Sequence, residues 1–510
     1  MSFAFIPLEL FPLIASFIPL RSASQTLLSL ALGNHYLYDI VRPLLYSRLI
    51  LGDETITIKV IQKILDEPRL GMAVTEIYIM TALSMETREE KKPVDAIDGL
   101  QKLVDAKLLP RLVALGIHLL DGWEDPNPRS HLSIEFWRNL RAGCPQLNSL
   151  SLRNVGNYFD QWISGPVIDE IFDIPRLSVL RIEWVSDTPE ESESLRALKQ
   201  LPRLASSLHT LSLKSHLQDV DHIIHIDFPH LKWLRLDWFG TGNDVSSITD
   251  FFRRHPQLES LSLLDCQGEW FSNDIGEGFL PNLKHLQARF DDIRNLVPLL
   301  SQLTSLSFTQ SYNCQVPYLL RSVLPNGLPN LKSLEIEQAR WDDRDMEGIA
   351  WYETLDGKFH VEKRRKKIPR NFMDDYMHSI LRGAPNLEEL GLHGMTLVSE
   401  HLISIAPTMA QFANLKRFYC RGYAKKLRSG TDAPLHRHPF ILKDFLDGAE
   451  ALGRACNHME RVTSISAMYP PYISLLFIRN SEGEVVEVRR SDHYGMEISA
   501  QEDNPFPCNP

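Results

Sequence analysis

Along most of the chain, leucines recur at the first, fourth and sixth positions of a short frame, most plainly in Leu258-Glu259-Ser260-Leu261-Ser262-Leu263. The same frame starts at Leu112, Leu147, Leu177, Leu208, Leu231, Leu283, Leu303, Leu331, Leu387 and Leu415, with Ile117, Ile182, Ile336, Phe308 or Ala288 standing in for the third leucine in places. A strand points alternate side chains to opposite faces, so the fourth and sixth positions predict a short strand with one buried face. Pro110, Pro145, Pro175, Pro229, Pro256, Pro281, Pro329 and Pro385 each lie two residues before the first leucine. A proline there ends the preceding helix and leaves the chain extended as it enters the strand. Between strands the period changes to that of a helix. After a cap at Asn243 or Asp244, Val245, Ile248 and Phe252 share one face, and Arg253, Arg254 and His255 sit at the negative end of the dipole. Residues Asp374 to Ala384 repeat the scheme, with Met377, Ile380 and Leu381 inward and Gly383 as terminator.

Such a strand-plus-helix unit cannot bury its apolar face alone, and stacked copies form a parallel sheet. The predicted fold is therefore α/β, a solenoid with the sheet on its concave side and helices outside. Over roughly residues 70 to 470 the chain resembles the leucine-rich repeat family in its long, irregular form. Val74 to Ile79 reads as a degenerate first repeat strand and Val462 to Ile465 as a weak last one, which gives a repeat region of 74–470. The interval from Leu331 to Leu387 is twice the 28 residues before it, which predicts an insertion at 340–370. Trp351 to Leu355 and Lys358 to Glu362 flank Asp356-Gly357, a two-residue hairpin signal. The basic run Lys363 to Lys367 that follows reads first as a solvated loop, with a nuclear signal or an acid-binding patch as alternatives. A hairpin at 471–492 would close the last sheet edge, leaving 493–510 as a tail.

The first 46 residues have a different pattern. Apolar residues cluster at Ile6-Pro7-Leu8-Glu9-Leu10, Ile14, Phe17-Ile18, Leu27-Leu28, Leu30, Leu32 and Tyr36, and the run ends at Ile40-Val41-Arg42-Pro43-Leu44-Leu45-Tyr46. Glu9 within the run, the absence of a preceding basic residue, and Pro7, Pro12 and Pro19 argue against a signal peptide. The segment resembles the F-box, although Leu44, Leu45 and Tyr46 stand where that family has a tryptophan, and Pro12 requires the first helix to start near Glu9 or Leu10 or to be kinked. The resemblance implies a helical module over 1–50 that docks a Skp-type adaptor through Pro7, Leu8, Glu9, Ile14, Phe17, Leu27 and Leu28. Some 45 residues make too small a unit to bury so many apolar side chains internally, so something else must cover them. The bland alternative is that they cap the first repeat. Residues 51–73 read as a linker, with a strand near Ile56 and Ile58 passing into a helix that ends at Pro68.

Composition narrows the function. The 510 residues carry a net charge of -11, which disfavours a protein devoted to neutralising nucleic-acid phosphates. No apolar run is long enough to span a bilayer. Six cysteines without a Cys-x-x-Cys pair suggest neither structural zinc nor a disulfide framework, which fits a reduced, cytoplasmic or nuclear compartment. No phosphate loop, nucleophile elbow or His-Glu-x-x-His occurs, so no catalysis, metal or cofactor is expected. His222 with His225 and His436 with His438 lack a third ligand.

What remains is recognition. Residues between the buried leucines face outward, and the frame places Ser151, Arg153, Arg181, Glu183, Trp233, Arg235, Asp237, His285, Gln287, Arg289, Glu335, Glu337 and Glu389 there. Arg181, Trp233, Arg235, His285 and Arg289 are the candidate target-binding residues, because tryptophan and arginine most often anchor interfaces. The resemblance implies a substrate receptor of a Skp-cullin-F-box ubiquitin ligase, which binds a cullin through the adaptor and holds an unidentified target protein. The alternative is a leucine-rich-repeat scaffold or inhibitor.

Overall fold

The structure, a computed structural model, describes residues 10–16, 20–33, 35–51, 54–82, 94–120, 132–154, 165–183, 193–242, 245–272, 275–311, 315–324, 326–338, 349–353, 359–363, 370–393, 399–420, 439–464 and 472–493. The chain divides into two compact units, Met1–Leu234 with Trp238–Gly240 and Arg235–Asp237 with Thr241–Pro510. The fold is α/β, and within each unit most strands lie parallel, side by side in sequence order.

The first unit opens with three helices, α1 (Leu10–Ser16), α2 (Leu20–Ala31) and α3 (His35–Ser47). Strands β1 (Arg48–Leu51), β2 (Glu76–Ala82), β3 (Ala114–Leu120), β4 (Ser149–Asn154), β5 (Val179–Glu183) and β6 (Thr210–Asp219) follow, each parallel to the next. The register aligns the frame: Ile77, Leu115, Leu150, Leu180 and Leu211 form one row and Ile79, Ile117, Leu152, Ile182 and Leu213 the next, all buried. Each fully buried leucine is worth roughly 1.5–3 kcal/mol of transfer free energy, so these rows hold the strands together. The intervening helices are tied in series by polar pairs: Asn139 to Asp105 at 2.8 Å, Arg138 to Glu170 at 2.7 Å and Arg196 to Asp169 at 2.7 Å.

The sheet begins earlier than the sequence suggests. No linker separates the N-terminal helices from it, because α3 ends at Ser47 and β1 starts at Arg48. The Ser47 carbonyl accepts both the backbone N–H and the hydroxyl of Thr75, each at 2.8 Å. The strand expected near Ile56 is instead part of a helix, Glu54–Asp66. Thr57, Ile61 and Ile64 are its buried residues while Ile56 is exposed. That spacing is helical, and it overrides the strand preference of β-branched residues.

β7 (Trp233–Gly240) lies at the division. In the second unit, β8 (Ser260–Leu264), β9 (His285–Arg289), β10 (Ser305–Ser311) and β11 (Ser333–Gln338) are parallel neighbours. β12 (Ile349–Glu353) and β13 (Phe359–Lys363) form a separate antiparallel pair, and β11 pairs directly with β14 (Glu389–His393). The insertion therefore leaves the repeat sheet uninterrupted. Glu353 opposite Phe359 is the last described pair before the connection, and Asp356-Gly357 lies outside the described residues. The basic run beyond Lys363 lies outside the described residues.

β15 (Arg417–Cys420) and β16 (Arg461–Ser464) continue the parallel run, and β17 (Tyr472–Arg479) and β18 (Val485–His493) close it as an antiparallel hairpin. Leu261, Leu286, Leu306, Leu334, Leu390, Phe418 and Val462 are aligned by register, and none is more than 1% exposed. Asparagines one residue after the registered prolines link successive repeats: Asn282 donates to the Pro256 carbonyl at 3.0 Å, and Asn386 to that of Pro329 at 2.8 Å. Arg479 locks the hairpin to the last helix, Pro439–Ala455, by donating to the carbonyls of Gly453 and Cys456 at 2.7 Å each. A side chain at Gly453 would meet the Phe477 ring, at 2.1 Å from its Cζ, so only glycine lets the hairpin approach this closely.

Candidate recognition surfaces

Alternation along each strand carries polar side chains to the face opposite the leucines. In the first unit, Tyr78, Gly116, Ser151, Arg181 and Ser212 occupy successive register positions. The Tyr78 ring lies over Gly116, where an added Cβ would stand 2.3 Å from Tyr78 Cδ1. In the neighbouring row His118 Nε2 is 3.0 Å from the Ser151 hydroxyl, both buried. Glu183, also buried, accepts from Arg153 Nε at 2.7 Å and from Lys214 Nζ at 2.5 Å. Burial pushes the Glu183 carboxyl up, but Arg153 and Lys214 outweigh it and hold the group below the usual carboxylate range. The Lys214 ammonium also lies over the Trp238 ring, 5.6 Å from its centroid. Trp238 has φ +64°, the left-handed region that non-glycine residues rarely adopt.

The second unit arranges the same frame positions differently. Ser262, Gln287, Ser307 and Glu335 form a continuous chain of side-chain hydrogen bonds of 2.5, 3.3 and 2.8 Å. Glu389 pairs with Arg417 and lies 3.5 Å from the Ser333 hydroxyl that donates to it. Burial raises its carboxyl above the usual range despite Arg417. Asp292, raised likewise by burial, accepts the backbone N–H of Trp270 at 2.9 Å.

The five candidate target residues do not form one uniform set. Arg181 is half-buried between Ser151 and Ser212 and makes no ion pair among the described residues. Trp233 and Arg235 alternate with buried Leu234 and Leu236 as expected, and Arg235 lies 3.8 Å from Asp237. Burial lowers the basicity of His285. Arg289 is held by Asp292 and by the Gly268 carbonyl, so its guanidinium is engaged within the chain. Lys214, Tyr78 and Trp238 belong to the polar face without having been singled out from the sequence. The first two stand in register with the chosen positions, which was a usable signal, whereas the turned backbone at Trp238 has none.

The N-terminal helices enclose a small core of Leu27, Ala31 and Val41, packed by Ala15, Leu30, Leu44 and Leu45. Leu27 is thus 7% exposed and belongs to that core rather than to a docking surface. Ile14 is 42% exposed and Leu28 50%, and Leu10, Leu13, Leu32, Tyr36 and Tyr38 are exposed with them. Pro7, Leu8, Glu9 and Phe17 lie outside the described residues. Arg42 and Lys63 both pair with Glu67, joining α3 to the first repeat.

One Thr-His-Asp group does occur, on the helices Arg370–Gly383 and Ser399–Met409. Thr408 Oγ1 donates to Asp374 Oδ1 at 2.5 Å and lies 3.3 Å from His378 Nδ1, which is itself 2.9 Å from the Asp374 carbonyl. The hydroxyl proton therefore goes to the carboxylate, and the imidazole stands in no position to remove it. Among the described residues no group of three or more His, Cys, Asp or Glu is placed to hold a metal, and no helix is long and apolar enough to cross a membrane. Cys144, Cys266, Cys420 and Cys456 are buried thiols, and burial pushes Cys144, Cys420 and Cys456 up to about 12, far from the reactive thiolate.

No family model matches the chain, and no curated protein sequence matches it. Among solved structures it is similar to the leucine-rich repeat-containing protein LegL7 from Legionella pneumophila, with 12% identity and a TM-score of 0.27 over 82% of this chain and 90% of that one.

Proposed function

We propose that this chain is a non-catalytic recognition subunit of the leucine-rich-repeat type, in which the N-terminal helices dock a Skp-type adaptor and the repeat strands hold a target protein. In a Skp-cullin-F-box ligase, other subunits would transfer ubiquitin, and this chain would contribute proximity. The observation that carries the reading is the division of apolar residues in the N-terminal helices. Leu27, Ala31 and Val41 make a core, while Leu10, Leu13, Ile14, Leu28 and Leu32 are exposed. Exposed apolar side chains in this number on so small a module mark an interaction surface.

A second reading has its own support: Arg42 pairs with Glu67, and α3 runs directly into β1, as a cap for the repeats would. The double substitution Ile14→Asp, Leu28→Asp separates the two. Charges on an exposed face leave the isolated chain stable, but in an apolar interface they cost several kcal/mol. Docking predicts loss of binding to a purified Skp-type adaptor at an unchanged melting temperature. Equal adaptor binding by the wild type and the double variant, or no binding by either, would leave capping as the role of these helices.

A further inference from the structure

We propose that the polar face of β4 to β6 binds an acidic segment of a partner polypeptide, with Arg181 receiving its carboxylate. The proposal rests on the reading of the strands as the target surface, and it names the chemistry of the target. Among the described side chains of β4, β5 and β6, three cations, Arg153, Arg181 and Lys214, accompany one carboxylate, Glu183. The face is cationic on a chain whose net charge is -11.

The three cations are not equivalent. Arg153 and Lys214 both point to Glu183, which holds them in place and neutralises part of their charge. Arg181, two residues before Glu183 on the same strand, has only the small hydroxyl residues Ser151 and Ser212 in register beside it. A guanidinium offers five N–H donors in a fork that matches a carboxylate, and none of them is taken by an acid among the described residues. Ordered cations on either side of Glu183 add to the attraction for an incoming anion without competing for its geometry.

Two aromatic residues border the same face. The Tyr78 ring covers Gly116 on one side of Ser151, and Trp238 stacks against Lys214 on the other side of β5. The left-handed backbone at Trp238 is a strained conformation for a non-glycine residue, of the kind that concentrates at functional positions. A single guanidinium with no acid partner among the described residues, set between Ser151 and Ser212, fits one carboxylate at a time. Duplex or single-stranded nucleic acid, whose affinity comes from many phosphate contacts, is poorly matched to it.

Fluorescence anisotropy of the full chain with a labelled Glu-Gly repeat peptide, beside the same peptide with glutamine for glutamate, tests this. The wild type should bind the acidic peptide and not the glutamine one, more weakly as salt is raised. Arg181→Gln should weaken binding about tenfold. Arg181→Lys, which keeps the charge and loses the fork, should fall between the two, with all variants melting alike. Undiminished affinity in Arg181→Gln, or equal binding of the glutamine peptide, would overturn the proposal. So would displacement of the peptide by millimolar inorganic phosphate alone, which would reveal a small-anion site. Adaptor binding measured on the same Arg181→Gln protein should be unchanged. If the wild type binds the acidic peptide but no adaptor, the ligase reading fails and this one stands.

Discussion

The two units use the same frame for opposite electrostatics. Over β4 to β6, the described outward side chains place Arg153, Arg181 and Lys214 around one carboxylate. Over β11, β14 and β15, Glu335, Glu337 and Glu389 accompany Arg417, and Glu335 is joined to Ser307, Gln287 and Ser262 by hydrogen bonds. The leucine rows beneath are interchangeable; the residues between them are not. Glu183, though buried, is held ionised by its two cations, whereas at Glu389 burial outweighs the single cation Arg417 and pushes the carboxyl toward its neutral form. The backbone pattern thus fixes where polar side chains emerge, and their identities decide what each face attracts.

The largest expected effect breaks the first face. Glu183→Ala strips Arg153 and Lys214 of their shared partner, and since both cations are partly solvated the cost should be about 2 kcal/mol in urea unfolding, below the 3–5 typical of a fully buried pair. Gly116→Ala should cost roughly 1–3 kcal/mol, because the new methyl collides with the Tyr78 ring and must displace it. Ser307→Ala, in the middle of the second unit's chain, should cost about 1 kcal/mol by the same measurement, the ordinary value of a side-chain hydrogen bond.

The pH dependence sharpens the contrast. Glu183 is depressed in the folded chain, so it stabilises above the ordinary glutamate range, and that contribution is lost as pH falls toward its folded value. Glu389 is raised, so its charged form opposes folding, and its contribution worsens as pH rises through the interval between its unfolded and folded values. Stability measured between about pH 3 and 7 should show a cost of Glu183→Gln that is full at neutral pH and vanishes in acid. Glu389→Gln should be least damaging at neutral pH. The same pH profile for both substitutions would contradict the difference between the faces.

Most of the sheet was legible in the sequence because its signal is redundant. Leucines at three positions, repeated in eleven frames and preceded by registered prolines, leave one arrangement that buries them all, and each frame coincides with a strand. The start of the sheet was not legible. Arg48 to Leu51 is too short to show alternation, and the β-branched run after it resembles a strand until the burial of Thr57, Ile61 and Ile64 reveals a helix. In the N-terminal module, apolar character alone did not distinguish Leu27, which is core, from Leu28, which is surface, because the packing of α2 on its neighbours decides between adjacent residues. On the polar faces, register could be read from the frame, but partnership could not. Nothing local in the sequence says that Arg289 is engaged by Asp292 and Gly268 while Arg181 makes no ion pair among the described residues.

The proposed division of labour, adaptor at the N-terminal helices and target on the strands, is tested most directly by hydrogen–deuterium exchange of the full chain with and without a purified Skp-type adaptor. Adaptor should slow exchange in peptides covering α1 and α2, where Leu10, Leu13, Ile14 and Leu28 are exposed, and leave peptides from β4 to β6 unchanged. Protection confined to the strands, or none anywhere at saturating adaptor, would contradict it.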